Sequence, residues 1–109
     1  RELVCGILRE AYNIDAYPDP TFFLNNNGNL NTYDMLLTDE KMPYMCGTDF
    51  VRENIIKKGL DIPVIFLTGG DPKNIIALIN NNPKLQMLEK PMRISKLEAK
   101  VKELLNNPN

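Results

Sequence analysis

Met35-Leu36-Leu37-Thr38-Asp39 is the stretch on which the fold turns. Four residues without charge end at an acid, with no alternation of polar and apolar positions. A strand wetted on one face alternates, whereas one covered on both faces reads as a continuous run, so this run predicts a strand of a parallel sheet. Two more runs repeat the design. Pro63-Val64-Ile65-Phe66-Leu67 ends at Thr68-Gly69-Gly70, and Leu85 to Leu88 is followed by Glu89-Lys90-Pro91.

Between the runs the apolar spacing becomes helical. Phe50, Val51, Ile55 and Ile56 fall on one side of a segment from Thr48 to Lys58, with Gly59 placed to cap its end. Asp71-Pro72 offers an N-cap and a first-turn proline to a helix carrying Ile75, Ile76, Leu78 and Ile79, which Asn80 to Pro83 ends. Ser95 and Glu98 have capping-box spacing ahead of Leu97, Val101, Leu104 and Leu105. Upstream, Leu3, Val4, Ile7, Leu8 and Ala11 predict an opening amphipathic helix and Ile14 to Tyr17 a short strand. Asp19-Pro20 predicts a helix through Leu24, and Asn25 to Asn31 a loop. The regular alternation of helix and strand implies right-handed crossovers and an open, doubly wound α/β domain with a mostly parallel sheet.

The bulk numbers fit such a domain. A chain of 109 residues supports one hydrophobic core, and 43% hydrophobic with 25% charged residues is the balance of a folded globule. Net charge is −1, without the basic footprint of a nucleic-acid binder. The chain has no histidine, which removes His-ligated zinc and His-dependent triads, and Cys5 and Cys46 stand too far apart for a CxxC motif. They are expected to be reduced thiols in a cytoplasmic protein. No apolar run approaches the ~20 residues of a membrane span.

In doubly wound sheets, ligands bind at the carboxyl ends of the strands. Asp39, Thr68 and Lys90 each fall there, at three different strands. Singly, each has an ordinary reading: a loop acid, a turn threonine, a solvated lysine. Together they suit phosphoryl transfer to a carboxylate, with a nucleophile, a hydroxyl donor and a cation for the oxygens. A phosphoryl group carries about −2, and one lysine at ~4 Å offers roughly 4 kcal/mol per unit charge at an effective dielectric of about 20. Lys90 alone does not balance that charge, so a divalent cation is expected beside Asp39.

These residues resemble the receiver domains of bacterial response regulators and hybrid histidine kinases, which have the flavodoxin-like fold, nearly end to end. Leu36-Leu37-Thr38-Asp39-Glu40-Lys41-Met42-Pro43 looks like the family's strand, phosphoacceptor and Met-Pro, and Gly47 like the glycine that opens the next helix. Ile62 to Gly69 resembles the strand ending in a hydroxyl residue, and Leu88-Glu89-Lys90-Pro91 the invariant lysine followed by a proline, usually cis. The resemblance implies that Asp39 is phosphorylated, Thr68 bonds the phosphoryl oxygen and Lys90 pairs with it. It also implies Mg²⁺ on Asp39 and the backbone carbonyl of Lys41, completed by an acidic pair.

That pair belongs to a first strand that the family places before its first helix, a few residues ahead of Arg1. The natural protein is therefore expected to extend upstream, which an intact mass of the cellular protein tests. Two smaller departures accompany this. Met87 stands where the family has an aromatic switch residue, and Tyr44 and Cys46 replace a frequent glycine and acid. Glu40 is expected to be a solvated loop acid, with tuning of the phosphoryl lifetime as its other reading.

The expected function is a signalling phosphoacceptor. A histidine kinase or phosphotransfer protein would be the donor, and the face bearing Ile76, Met87 and Lys96 would meet an output domain or a second copy through the last helices. Two alternatives remain. A haloacid-dehalogenase-like phosphatase also uses Asp, Thr and Lys in this order, but needs a second acid where Lys41 stands and a cap insertion. A degenerate receiver would bind partners without phosphorylation.

Overall fold

The three charge-free runs are the strands: β1 (Leu36–Asp39), β2 (Val64–Thr68) and β3 (Leu85–Glu89). They form a parallel sheet in the order β1-β2-β3, with Leu36 opposite Val64 and Val64 opposite Leu85. The computed structural model describes residues 15, 20–26, 28–41, 44–80 and 82–106. The predicted opening helix, most of the Ile14 to Tyr17 strand, Asp19, Cys5, the Met42-Pro43 pair and the last three residues lie outside the described residues.

Around the sheet run α1 (Pro20–Asn25), a 3-10 turn (Leu30–Thr32), α2 (Gly47–Val51), a π-helical turn (Arg52–Ile56), α3 (Lys73–Ile79) and α4 (Ile94–Leu105). All five residues of β2 are buried, as its unbroken apolar run requires of a central strand. Its side chains alternate between two cores. Val64 and Phe66 join Phe23, Phe50, Val51, Ile55, Ile75 and Leu85 on one face, beneath α1, α2 and α3. Ile65 and Leu67 join Leu88, Leu97 and Val101 on the other, beneath α4. Full burial of each such side chain stabilises by about 1.5–3 kcal/mol. Helices thus cover both faces, and the doubly wound α/β reading holds.

Local chemistry departs from the sequence reading at three helix ends. The segment from Thr48 to Lys58 is not one α-helix: it passes into a π turn closed by Lys57 N–H on the Arg52 carbonyl at 3.0 Å. Buried Asn54 donates its side-chain amide to the Phe50 carbonyl at 3.0 Å, satisfying a group that the altered ladder leaves over. Gly59 then turns the chain at φ +68°, the left-handed conformation that glycine adopts at least cost.

Before α3, Pro72 is the cap residue itself, and Asp71 instead accepts Lys73 N–H at 3.0 Å. The capping box at Ser95 and Glu98 does not form. α4 starts two residues earlier than that spacing demands, at Ile94, with Arg93 in the cap position and no side-chain bond there. Burying Leu97 and Val101 against the sheet decides its start, and tertiary packing of this kind overrides a local cap.

Candidate functional site

The carboxyl ends of the strands are tied together beyond the regular ladder. Glu40 N–H donates to the Leu67 carbonyl at 3.2 Å and Lys90 N–H to the Thr68 carbonyl at 2.7 Å, so the residues following β1 and β3 are both fixed to β2. Asp39 and Thr68 are buried at their strand ends, and the Lys90-Pro91 peptide is cis.

Lys90 extends across the end of β2, passing the Gly69 backbone, and its Nζ lies 3.0 Å from Asp39 Oδ1. The carboxylate is 11% exposed and the lysine side chain 46%. The acid is thus held in a low-dielectric floor while its cation keeps much of its hydration, which limits the desolvation cost of the pair. Thr68 Oγ1 accepts Gly70 N–H at 3.3 Å, which orients the hydroxyl and leaves its proton available for donation.

Asp39, Thr68 and Lys90 line one cleft of about 240 Å³, together with Glu40, Lys41, Leu67, Gly69, Gly70 and Asp71. Lys41 leans over its mouth, with Nζ 3.7 Å from where a Cβ on Gly70 would lie. The cleft therefore offers one buried carboxylate, one hydroxyl and two ammonium groups to an incoming anion.

As a site for a divalent cation the described residues supply only part of a coordination shell. No three His, Cys, Asp or Glu side chains gather among them. Asp39 can serve as one carboxylate ligand, but Glu40 and Asp71 are engaged elsewhere, by Thr48 and by Lys73 N–H. Mg²⁺ is commonly held by one or two carboxylates and several waters, so Asp39 fits as one donor and the rest must come from other groups.

Glu40 is the residue that the sequence reading misplaced. It is not a solvated loop acid but is 7% exposed. Its Oε1 accepts Thr48 N–H at 2.7 Å and its Oε2 accepts the Thr48 hydroxyl at 2.9 Å. Nothing in the local sequence signals this pairing, because it depends on the intervening loop closing back on the strand end.

The family model of the response regulator receiver domain matches residues 1–102. This chain belongs to the response regulator receiver domain family. Among solved structures, a response regulator receiver domain protein from Clostridium thermocellum is 31% identical, with a TM-score of 0.65 over 81% of this chain and 70% of that one. The signal receiver domain of a signal transduction histidine kinase from Syntrophus aciditrophicus is 27% identical, with a TM-score of 0.70 over 95% and 80%. A receiver domain protein from Methanospirillum hungatei, at 24% identity, shares the fold with a TM-score of 0.76 over 96% and 83%. No curated protein matches the chain. A receiver domain is a signalling module of two-component systems, not an enzyme with a turning-over substrate. Among the described residues no helix is long and apolar enough to cross a membrane.

Within this receiver domain, the departure at position 44 has a structural meaning. Tyr44 has φ 72°, so a bulky residue adopts a backbone conformation in which the family often has glycine, and the residue is 86% exposed. The left-handed conformation costs a non-glycine residue about 1–2 kcal/mol, and no burial of the ring offsets it. Tyr44→Asn, which tolerates that conformation better, is expected to stabilise the fold by about 0.5–1 kcal/mol. A higher urea midpoint at unchanged slope would show it.

Proposed function

We propose that this receiver domain accepts a phosphoryl group on Asp39 and that Thr68 and Lys90 convert the event into a change of surface. The observation that carries the reading is the 3.0 Å approach of Lys90 Nζ to Asp39 Oδ1 in the cleft that Thr68 also lines. An Asp39 oxygen attacks the phosphorus of a phosphohistidine on a partner kinase or phosphotransfer protein. The P–O bond forms as the P–N bond breaks, and the imidazole leaves with the electron pair.

Lys90 then turns from the carboxylate to the phosphoryl oxygens, and the Thr68 hydroxyl donates to one of them. Asp39 and the Lys41 carbonyl would be this chain's ligands to Mg²⁺, which would supply positive charge against the phosphoryl oxygens. Hydrolysis of the acyl phosphate by water returns the carboxylate and releases inorganic phosphate.

Residues 1–109 serve as a single cytoplasmic receiver unit in this reading. In this reading the responding surface carries Ile76 and Lys96, both exposed, and takes in half-buried Met87 of β3. Driving such a surface from about 1:99 to 99:1 takes about 5.5 kcal/mol, within reach of a few charge-assisted bonds to a phosphoryl group. Beryllofluoride with Mg²⁺, added to the full-length protein, is expected to shift the backbone amide resonances of Thr68, Gly69 and Lys90 and, at a distance, of Ile76 and Met87. An unchanged spectrum would remove the phospho-switch.

A further inference from the structure

The chain leaves β1 at Asp39 and returns at α2, and one residue binds both ends of the excursion. The Glu40 carbonyl accepts Gly47 N–H at 2.9 Å, while the Glu40 carboxylate takes the Thr48 N–H and hydroxyl at 2.7 and 2.9 Å. Thr48 N–H is one of the first-turn donors that have no partner within their own helix, and a buried negative charge at that end also suits the helix dipole. On its other side, Glu40 is fixed to β2 through its own N–H. Glu40 is thus a rivet joining β1, β2 and the start of α2, immediately between Asp39 and Lys41.

We infer that Glu40 is a positioning residue for the phosphoryl-accepting cleft: its carboxylate, bound to Thr48, sets where Asp39 and Lys41 stand. The inference deepens the phosphoacceptor reading and rests on it for its consequence, but the clamp itself can be tested without phosphorylation. Both carboxylate oxygens of Glu40 are bound by Thr48. Its effect passes through the backbone of its two neighbours.

The test uses the full-length protein and three variants. Glu40→Ala removes both side-chain bonds. Glu40→Gln keeps them, its carbonyl accepting Thr48 N–H and its amide donating to the Thr48 oxygen. Thr48→Val removes the hydroxyl alone. All are compared at a temperature where circular dichroism shows them fully folded.

In Glu40→Ala, amide hydrogen exchange at Gly47 and Thr48, whose N–H groups Glu40 holds, is expected to rise at least tenfold, with β2 and α4 unaffected. The rate of phosphorylation by acetyl phosphate should fall at least tenfold. Glu40→Gln should recover both, and Thr48→Val should fall between. Wild-type exchange at Gly47 and Thr48 in Glu40→Ala would overturn the clamp. Faster exchange with an undiminished rate would reduce Glu40 to a structural residue and overturn its positioning role. A wild-type protein that takes up no phosphoryl group or beryllofluoride sinks the phosphoacceptor reading instead, and the exchange comparison still judges the clamp.

Discussion

Asp39→Asn is expected to abolish stable phosphoryl uptake while leaving the fold in place. The amide keeps the size and one acceptor oxygen of the carboxylate but has no anionic oxygen to attack phosphorus, and no acyl phosphate can form on it. In the wild-type protein, acetyl phosphate should add the mass of one phosphoryl group, lost again on hydroxylamine treatment; in the variant the mass should not change. Stability should shift by about 1 kcal/mol or less, because the lysine that faces Asp39 is half in solvent and keeps its hydration when the charge is lost. Phosphoryl uptake at another acid of the variant would refute the assignment of Asp39.

Gly47→Ala should be the most damaging single-methyl change in the site. A Cβ at this position would lie 2.4 Å from the Asp39 carbonyl oxygen and 3.2 Å from Thr38 Oγ1. The first contact is with backbone, in a strand paired to β2, so it has no side-chain rotamer through which to yield. Alanine gains up to about 1 kcal/mol in helix propensity, but overpacking of a tight interior costs about 1–3 kcal/mol and should win. Denaturant unfolding is expected to show a net loss of about 1–2 kcal/mol. The residue that must move is the proposed phosphoacceptor, so phosphorylation should slow even in the folded fraction. A variant as stable as wild type with an unaltered rate would mean that α2 can slide away from β1 freely.

How much of this was legible beforehand depends on the range of the interaction. β2 announced itself, because burial on both faces forces an unbroken apolar run, and β1 and β3 were readable as short charge-free runs that end at Asp39 and Glu89. The gathering of Asp39, Thr68 and Lys90 followed from the parallel arrangement, which sends all three strand ends to one rim. Gly59 was readable because the left-handed turn after a helix selects glycine locally.

Glu40 was not readable, since its partner Thr48 lies across a loop whose path no periodicity reports. The Ser95 and Glu98 spacing misled for the opposite reason: a local motif was present, and packing of Leu97 and Val101 set the helix start elsewhere. The π turn at Arg52 to Ile56 also escaped, because the apolar positions Val51 and Ile55 fit an α-helix equally well.

The order of strands along the chain bears on biosynthesis. The acid arrives with the first strand of the described sheet, its hydroxyl neighbour with the second and its ammonium partner only after the third. A ribosome-bound chain that has exposed β1 but not β2 holds a carboxylate with neither companion, and a product truncated before Lys90 lacks the ammonium that faces it. On the proposed reading, incomplete copies would accept a phosphoryl group poorly and leave it to finished ones.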